Sequence, residues 1–302
     1  MKVALVYAGQ GAQFVGMGKE LYEGSEAARR IFDQAGEDIK KACFEGPEEV
    51  LNRTDMAQPC IYTMEVAAYA ALTDGYQGDA QFVMAGFSLG EYAALTASGV
   101  LPFDKGLELV RLRGQWMQEA SGGKGGMAAM LGKLDAVEQC CKEAAGDGMC
   151  IPVNYNCPGQ TVVSYDDEAG KRLAELARGY RLKCIPLKVG GPFHSPKMQP
   201  VAEKIVDYLQ HVELNAPSCP LYSNVTARPM EKEELVDLIR RQVMSPVLWE
   251  QTVRNMAEDG VETFVELGPG KVLRGLIKKT IPQAALYGAE DAQSLQAVRE
   301  VL

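Results

Sequence analysis

The chain has 302 residues, of which 47% are hydrophobic and 24% are charged, a composition typical of a globular protein with a large core. The 40 Asp and Glu residues outnumber the 31 Lys and Arg residues, and the net charge of −9 argues against bulk binding of nucleic acid, which needs a basic surface. The first apolar run, at 3–7, is too short for a signal peptide or a membrane span, so we expect no association with a membrane.

The cysteines and histidines argue against a metal site. None of the eight cysteines forms a Cys-x-x-Cys pair, and only two histidines are present. The adjacent pair Cys140 and Cys141 has a poor geometry for a disulfide. We therefore predict no bound metal and expect free, packed thiols in the reducing cytoplasm.

Short apolar strands alternate with helical patterns along most of the chain. In chain order the predicted elements are strand 3–7, helices 25–42 and 59–74, strand 81–85, a helix from about 88, helix 103–120, strand 263–266 and a helix from 271. Strands that are separated by helices in this way favour a mostly parallel sheet covered on both faces.

The segment 122–189 has a different order of elements. A glycine-rich stretch at 122–126 is followed by strand 127–132, helix 134–144, strand 149–155, strand 160–164, helix 166–178 and strand 181–187. The order β-α-β-β-α-β is that of a ferredoxin-like unit. We predict an α/β protein whose large domain, residues 1–121 and 190–302, carries a smaller inserted subdomain at 122–189.

The segment 86–90, with the sequence Gly-Phe-Ser-Leu-Gly, follows a predicted strand and opens a predicted helix. A serine in such a turn presents its hydroxyl at a helix N-terminus, where free N–H groups stabilise an oxyanion. Ser88 is therefore a candidate nucleophile, and the N–H of Leu89 is the natural oxyanion donor. A serine that only caps the helix gives the same pattern, so the turn alone leaves both interpretations open.

A serine nucleophile needs a base, which is usually a histidine. His194 lies in a loop, 190–196, directly after a predicted strand, where catalytic side chains collect. His211 lies at the polar end of a predicted helix and is expected to be a solvated surface residue. His194 is therefore the candidate base, with a purely structural loop histidine as the alternative.

Six motifs in a fixed order extend this interpretation over almost the whole chain. They are Gly-Gln-Gly-Ala-Gln at 9–13, Gly-Phe-Ser-Leu-Gly-Glu at 86–91, Arg-Gly and Met-Gln-Glu-Ala within 113–120, Asn-Tyr-Asn-Cys-Pro-Gly-Gln at 154–160, Pro-Phe-His at 192–194 and Glu-Leu-Gly-Pro-Gly-Lys-Val-Leu at 266–273. With them the chain resembles the malonyl-CoA:acyl-carrier-protein transacylases of type II fatty-acid synthesis. That family combines a hydrolase-like α/β domain with a ferredoxin-like subdomain, in agreement with the predicted elements.

The resemblance implies a ping-pong transfer of malonyl from malonyl-CoA to the phosphopantetheine thiol of an acyl carrier protein, without a cofactor. Ser88 would carry the malonyl ester and His194 would be its base. The backbone N–H groups of Gln10 and Leu89 would form the oxyanion hole. The family orients this histidine with a main-chain carbonyl, and we match that position to Leu248.

Arg113 lies on a predicted amphipathic helix with Arg111 nearby. Two solvated arginines on a helix surface are the ordinary interpretation of this pattern. The resemblance implies instead that Arg113 points inward and holds the malonyl carboxylate through two parallel hydrogen bonds. It also implies an acyl pocket formed by Met117, Met127 and Phe193, in which bulky Phe193 disfavours an α-methyl branch.

One departure from the family narrows the chemistry, because Phe87 stands where most relatives carry histidine, and this leaves His194 to do the acid–base work. The alternatives are an acyltransferase of a polyketide synthase, a serine thioesterase or hydrolase, and a non-catalytic module that docks carrier proteins. Arg113 argues against a hydrolase, and its presence together with Ser88 and His194 argues against a docking module. We expect a cytoplasmic monomer whose partners are malonyl-CoA and an acyl carrier protein.

Overall fold

Nine β-strands form two separate sheets in the computed structural model, which describes residues 1–302. In chain order the strands are β1 Lys2–Tyr7, β2 Gln81–Gly86, β3 Gly126–Leu131, β4 Cys150–Cys157, β5 Gln160–Tyr165, β6 Lys183–Pro186, β7 Leu221–Tyr222, β8 Thr263–Leu267 and β9 Ala285–Ala289.

Fourteen α-helices connect and cover these strands. They are α1 Lys19–Gly24, α2 Glu26–Ala35, α3 Glu37–Glu45, α4 Glu48–Leu51, α5 Thr54–Thr73, α6 Gly90–Ala97, α7 Phe103–Ser121, α8 Leu134–Ala145, α9 Asp167–Leu176, α10 Gln199–Leu209, α11 Leu235–Gln242, α12 Trp249–Glu258, α13 Val272–Thr280 and α14 Ala292–Val301. None of them combines the length and the apolar character that a membrane span requires.

The large sheet has five strands in the order β7-β2-β1-β8-β9, and every neighbouring pair is parallel. The central strand β1 is buried on both faces. Its consecutive residues Leu5 and Val6 point to opposite faces and belong to different hydrophobic clusters, one on each side of the sheet. The predicted parallel sheet with two covered faces is therefore confirmed.

The strand register of the large sheet places three loops at one edge. Tyr7, the last residue of β1, pairs with Gly86 of β2 on one side and with Leu267 of β8 on the other. Because parallel strands end at the same edge, the loops that follow β1, β2 and β8 meet there.

The small sheet is antiparallel, with the strand order β4-β5-β3-β6. Helices α8 and α9 cover one face around a separate hydrophobic cluster that includes Met130 and Val163. Alternate residues such as Met127 and Val162 join the cluster of the large domain instead. The predicted β-α-β-β-α-β order is confirmed, while the domain boundaries at 122 and 189 stay predictions.

The structure also corrects several element boundaries. The predicted helix 25–42 is two helices, α2 and α3, separated by Gly36, whose φ of 105° no helical residue adopts. Helix α5 begins at Thr54 and contains Pro59, where the sequence prediction began the helix. Pro59 is the sixth residue of α5 and has no N–H to donate to the carbonyl of Asp55, but the helix continues past it to Thr73.

The turn after β2 is held by close backbone packing. A Cβ atom on Gly86 would lie 1.9 Å from the backbone carbon of Gly90, and a Cβ atom on Gly90 would lie 2.2 Å from the carbonyl oxygen of Tyr7. Neither position tolerates a side chain. The two glycines of the turn are therefore required by space, since the chain that follows β2 crosses directly against the end of β1.

We predict that Gly90→Ala lowers the free energy of unfolding by about 3 kcal/mol or more, because rigid backbone must move to admit the methyl group. Gly275→Ala is the matched control, since it lies within α13 and a Cβ atom there meets nothing within 4 Å. It should raise the free energy of unfolding by about 0.5–1 kcal/mol. Urea unfolding of both variants measures the difference, and equal values would contradict the packing argument.

Candidate active site

A cleft of about 270 Å³ opens at this edge of the large sheet, and the small sheet forms part of its wall. The sequence analysis assigned a role in the site to nine residues, and eight of them line this cleft: Gln10, Ser88, Leu89, Arg113, Met117, Met127, Phe193 and His194. The ninth, Leu248, does not.

Ser88 lies in the turn between β2 and α6, with a φ of 52°. This left-handed conformation is uncommon for a residue with a side chain. The carbonyl oxygen of Ser88 accepts a hydrogen bond of 2.6 Å from Nε2 of Gln242. The turn is thus stabilised by the side chain of Gln242 as well as by the close packing of Gly86 and Gly90.

Ser88 and His194 meet in the cleft, where Oγ of Ser88 lies 2.7 Å from Nε2 of His194. The other ring nitrogen, Nδ1, lies 2.9 Å from the carbonyl oxygen of Gln242 and 3.2 Å from that of Ser245. Since carbonyl oxygens only accept, Nδ1 carries the hydrogen and donates it to them. Nε2 is then free to accept the hydroxyl proton of Ser88.

The prediction that the Leu248 carbonyl orients His194 was wrong. Leu248 directly precedes α12, and its carbonyl oxygen accepts from both N and Oγ1 of Thr252 in the first turn of that helix, each at 2.9 Å. Gln242 is the last residue of α11, where a carbonyl has no intrahelical donor. Its carbonyl oxygen is therefore available to the imidazole.

His194 is buried, with 4% of its surface exposed. Burial lowers the pKa of His194 to about 4, and the positive charge of Arg113 is the second cause. The imidazole is consequently neutral near pH 7. A neutral imidazole in contact with a hydroxyl is in the state that a general base requires.

Arg113 points inward from α7 and is 1% exposed. Nη1 donates to Oε1 of Gln58 at 2.7 Å, while Nη2 donates to Oγ of Ser88 at 3.1 Å and to Oε1 of Gln242 at 3.3 Å. Its guanidinium also lies over the ring of Tyr92, 5.1 Å from the ring centre. All of these partners are neutral side chains, so no anion offsets the charge of Arg113 through a hydrogen bond.

The nearby acid Glu91 does not offset that charge either. Burial raises the pKa of Glu91 to about 8, although a hydrogen bond from the backbone of Asn224 and the charge of Arg113 both act to lower it. At pH 7 the carboxyl is therefore mostly protonated and neutral. A buried cation without a counter-ion is suited to bind an anionic group of a ligand.

Arg111, two residues earlier on the same helix, behaves differently. It is partly exposed and forms an ion pair of 2.8 Å with Asp38. Arg111 is therefore the solvated surface arginine that the pattern suggested, whereas Arg113 is buried.

Two backbone N–H groups of the cleft are candidates for binding an oxyanion. The N–H groups of Gln10 and Leu89 donate to no backbone carbonyl of a turn or loop, and both residues line the cleft. The N–H of Ser88 is not available, since it donates to Oδ1 of Asn224 at 2.7 Å. The side chain of Gln10 donates to Oγ1 of Thr54 at 3.3 Å, which links its loop to α5.

Met117, Met127 and Phe193 form an apolar part of the cleft wall, and all three are buried. Sδ of Met117 accepts a hydrogen bond of 3.6 Å from Gln58. The carbonyl oxygen of Phe193 accepts a hydrogen bond of 2.6 Å from Oγ of Ser164, which lies on β5. The small sheet thus anchors the loop that carries His194.

Sequence reasoning missed the amides that surround these groups. Gln58, Asn224 and Gln242 all donate or accept hydrogen bonds at the site, as described above. Gln58 lay just outside the helix predicted from 59, so the periodicity of that helix could not assign it a buried position, whereas the structure begins α5 at Thr54. Gln242 is the last residue of the amphipathic helix α11, and Asn224 lies in the turn after β7, so neither position by itself indicates a contact with Ser88.

Comparison with known proteins finds relatives along the whole chain. Residues 4–299 match the acyl transferase domain family. The chain is 39% identical over 310 residues to the malonyl CoA-acyl carrier protein transacylase of Bacillus subtilis (strain 168), covering 100% of this chain and 97% of that protein.

Solved structures show the same fold. The acyl-carrier-protein S-malonyltransferase of Bartonella henselae has a TM-score of 0.95 and 34% identity, over 100% of this chain and 99% of that one. A malonyl-transacylase in complex with its holo type II polyketide synthase acyl carrier protein has a TM-score of 0.95 and 34% identity, over 100% of both chains.

We predict that His194 titrates with a midpoint of about 4, below the ordinary value of 6.5, because its charged form is buried beside a cation. NMR titration of the histidine ring resonances measures this midpoint. The chain has only two histidines, so His211→Gln leaves a single resonance to assign. A midpoint at or above the ordinary value would contradict the electrostatic description of the site.

Proposed function

The chain belongs to the acyl transferase domain family and, within it, to the malonyl CoA-acyl carrier protein transacylases, and from this we propose that it transfers malonyl from malonyl-CoA to an acyl carrier protein through an ester on Ser88. The observation that carries the choice of acyl group is Arg113. It is a buried cation with neutral partners, 3.1 Å from the hydroxyl that carries the acyl group.

In the first half-reaction, Oγ of Ser88 attacks the thioester carbonyl carbon of malonyl-CoA and Nε2 of His194 takes the hydroxyl proton. The 2.7 Å contact between these two atoms supports these roles. The N–H groups of Gln10 and Leu89 stabilise the tetrahedral oxyanion. When the carbon–sulfur bond breaks, His194 returns the proton to the CoA thiolate, and CoA leaves.

In the second half-reaction, the phosphopantetheine thiol of the carrier protein gives its proton to His194 and attacks the malonyl ester. The oxygen of Ser88 leaves and recovers the proton from His194. The CoA thioester supplies the activated acyl group, so the proposed reaction requires neither a metal nor a cofactor.

Arg113 selects the acyl group in this proposal. Its guanidinium binds the free carboxylate of malonyl through two parallel hydrogen bonds, a geometry that lysine lacks. An acetyl group would leave the buried cation unpaired, and this disfavours it. Phe193 narrows the same pocket and disfavours an acyl group with an α-methyl branch.

The carrier protein could belong to fatty-acid or to polyketide synthesis. The relatives include both a malonyl CoA-acyl carrier protein transacylase and a malonyl-transacylase bound to a polyketide synthase carrier protein. We propose fatty-acid synthesis, with the polyketide pathway as the alternative that the same residues would serve. Comparing transfer rates to the two kinds of carrier protein distinguishes them.

We further propose that the enzyme works as a monomer in the cytoplasm. One chain supplies every residue of the proposed mechanism, which supports the monomer. The eight cysteines are all free thiols, six of them buried, and this is in keeping with a reducing compartment.

Incubation with malonyl-CoA should add one malonyl group to the intact protein, and Ser88→Ala should abolish this increment, because Ser88 carries the ester. Intact-mass spectrometry measures both results. Addition of holo acyl carrier protein should then remove the group from the enzyme and increase the mass of the carrier. A wild-type enzyme without an adduct would refute the proposal.

Arg113→Ala should lower kcat/KM for malonyl-CoA by about 100-fold or more, since truncating one partner of a buried charge pair costs 2–5 kcal/mol. The same variant should accept acetyl-CoA better than the wild type does, because the unpaired cation is gone. Arg111→Ala, on the same helix but at the surface, is the control and should change neither rate. Equal losses for both acyl groups would make Arg113 a structural residue.

A further inference from the structure

Asn224 spans the turn that carries Ser88. Strand β7 pairs with β2 in parallel, so the residues after β7 run beside the turn that follows β2. Oδ1 of Asn224 accepts from the backbone N–H of Ser88 at 2.7 Å, and Nδ2 donates to the carbonyl oxygen of Gly86 at 2.6 Å. The side-chain amide therefore continues the pairing of β2 at the point where backbone pairing has ended.

Glu91 holds Asn224 from the opposite side of the turn. Its Oε2 accepts a hydrogen bond of 2.6 Å from the backbone N–H of Asn224. Glu91 lies in the first turn of α6, three residues after Ser88. Asn224 is thus fixed to the strand side of the turn through its amide and to the helix side through its backbone.

The side-chain hydrogen bonds of Asn224 hold a turn whose central residue, Ser88, has a strained backbone. Ser88 has a φ of 52°, a left-handed conformation that is unfavourable for a residue with a Cβ atom. If the turn relaxed, the direction of Oγ would change, and with it the 2.7 Å contact to His194. Asn224 accepts from the N–H of the strained residue itself, and Asn224 is 1% exposed, so its side chain is held within the core of the protein.

We propose that Asn224 is a positioning residue for acylation, which holds Ser88 in the strained conformation that directs Oγ to His194, and that Glu91 keeps Asn224 in place. The same hydrogen bond removes the Ser88 N–H from the donors of the cleft and leaves those of Gln10 and Leu89. This inference rests on the proposed acylation of Ser88.

Asn224→Ala should slow acylation by about 100-fold, the effect expected when a reacting group is misplaced by about 1 Å. Asn224→Asp should also slow it, because it keeps the shape and the acceptor but sets an oxygen against the carbonyl of Gly86. Rapid-quench mass spectrometry at a series of malonyl-CoA concentrations gives the maximal acylation rate constant and the half-saturating concentration separately. If Asn224 positions Ser88, its loss lowers the maximal acylation rate constant and leaves the half-saturating concentration of malonyl-CoA unchanged.

Asn255→Ala is the matched control. Nδ2 of Asn255 donates to the carbonyl oxygen of Ala227 at 2.7 Å, so it supports the same loop away from the cleft. Asn224→Ala loses two hydrogen bonds of its side-chain amide, and Asn255→Ala loses two as well, since Oδ1 of Asn255 also accepts from Nε2 of Gln251 at 2.7 Å. The acylation rate constant of Asn255→Ala should nevertheless stay within about two-fold of the wild type, since Ser88 keeps its partner.

Glu91 provides a test by conservative rescue. Glu91→Gln keeps an acceptor for the N–H of Asn224, whereas Glu91→Ala removes it. The Gln variant should therefore retain a much larger part of the acylation rate than the Ala variant. Equal rates in the two would remove Glu91 from the proposal.

Acylation of the wild type distinguishes a failure of the proposed function from a failure of the positioning role of Asn224. If the wild type forms no adduct, the proposed function fails. If it acylates normally and folded Asn224→Ala does so equally fast, only the positioning role is overturned. Loss of the fold in both Asn224 variants, judged by circular dichroism, would make Asn224 a residue of global stability and overturn the positioning role as well.

Discussion

The site depends on one packing constraint, the contact between the end of β1 and the turn after β2. The backbone N–H of Phe87 donates to the carbonyl oxygen of Tyr7 at 2.8 Å, and Gly90 lies so close to the same oxygen that no Cβ atom fits. This contact fixes the turn that carries Ser88 against the loop that begins at Ala8. Because the two segments are packed in this way, Ser88 and the N–H groups of the first loop share one cleft without needing a flexible element to bring them together.

The buried charge of Arg113 connects the specificity of the site to its basicity. In the resting site that charge helps to lower the pKa of His194, after the larger effect of burial. In the proposed reaction the malonyl carboxylate neutralises the guanidinium, so this contribution is cancelled and His194 becomes a stronger base when the correct substrate is bound. An acyl group without a carboxylate leaves the charge in place. The neutral state of Glu91 is part of the same arrangement, because an ionised carboxylate there would offset Arg113 before the substrate arrived.

The sequence predicted those parts of the fold and of the site that have a local signal. Strands β1 and β2 are short apolar runs, and helix α7 is long and amphipathic, so their positions could be derived from periodicity. The partner of the His194 ring could not, because a backbone carbonyl has no side-chain signature, and the position assigned to Leu248 was wrong for that reason. Asn224 was not found either, since it reaches Ser88 across 136 residues and follows a strand of only two residues. Long-range amide contacts of this kind depend on the register of β7 against β2.

The small sheet takes part in positioning His194. Ser164 of β5 donates to the carbonyl oxygen of Phe193, the residue directly before His194. On the edge strand β4, the N–H of Tyr155 donates to Val247 at 2.9 Å, and the N–H of Val247 donates to Val153 at 2.8 Å. Val247 lies two residues after Ser245, whose carbonyl faces the imidazole. The small sheet therefore holds both the loop that carries His194 and the segment that orients its ring, so displacement of this sheet would move His194 relative to Ser88.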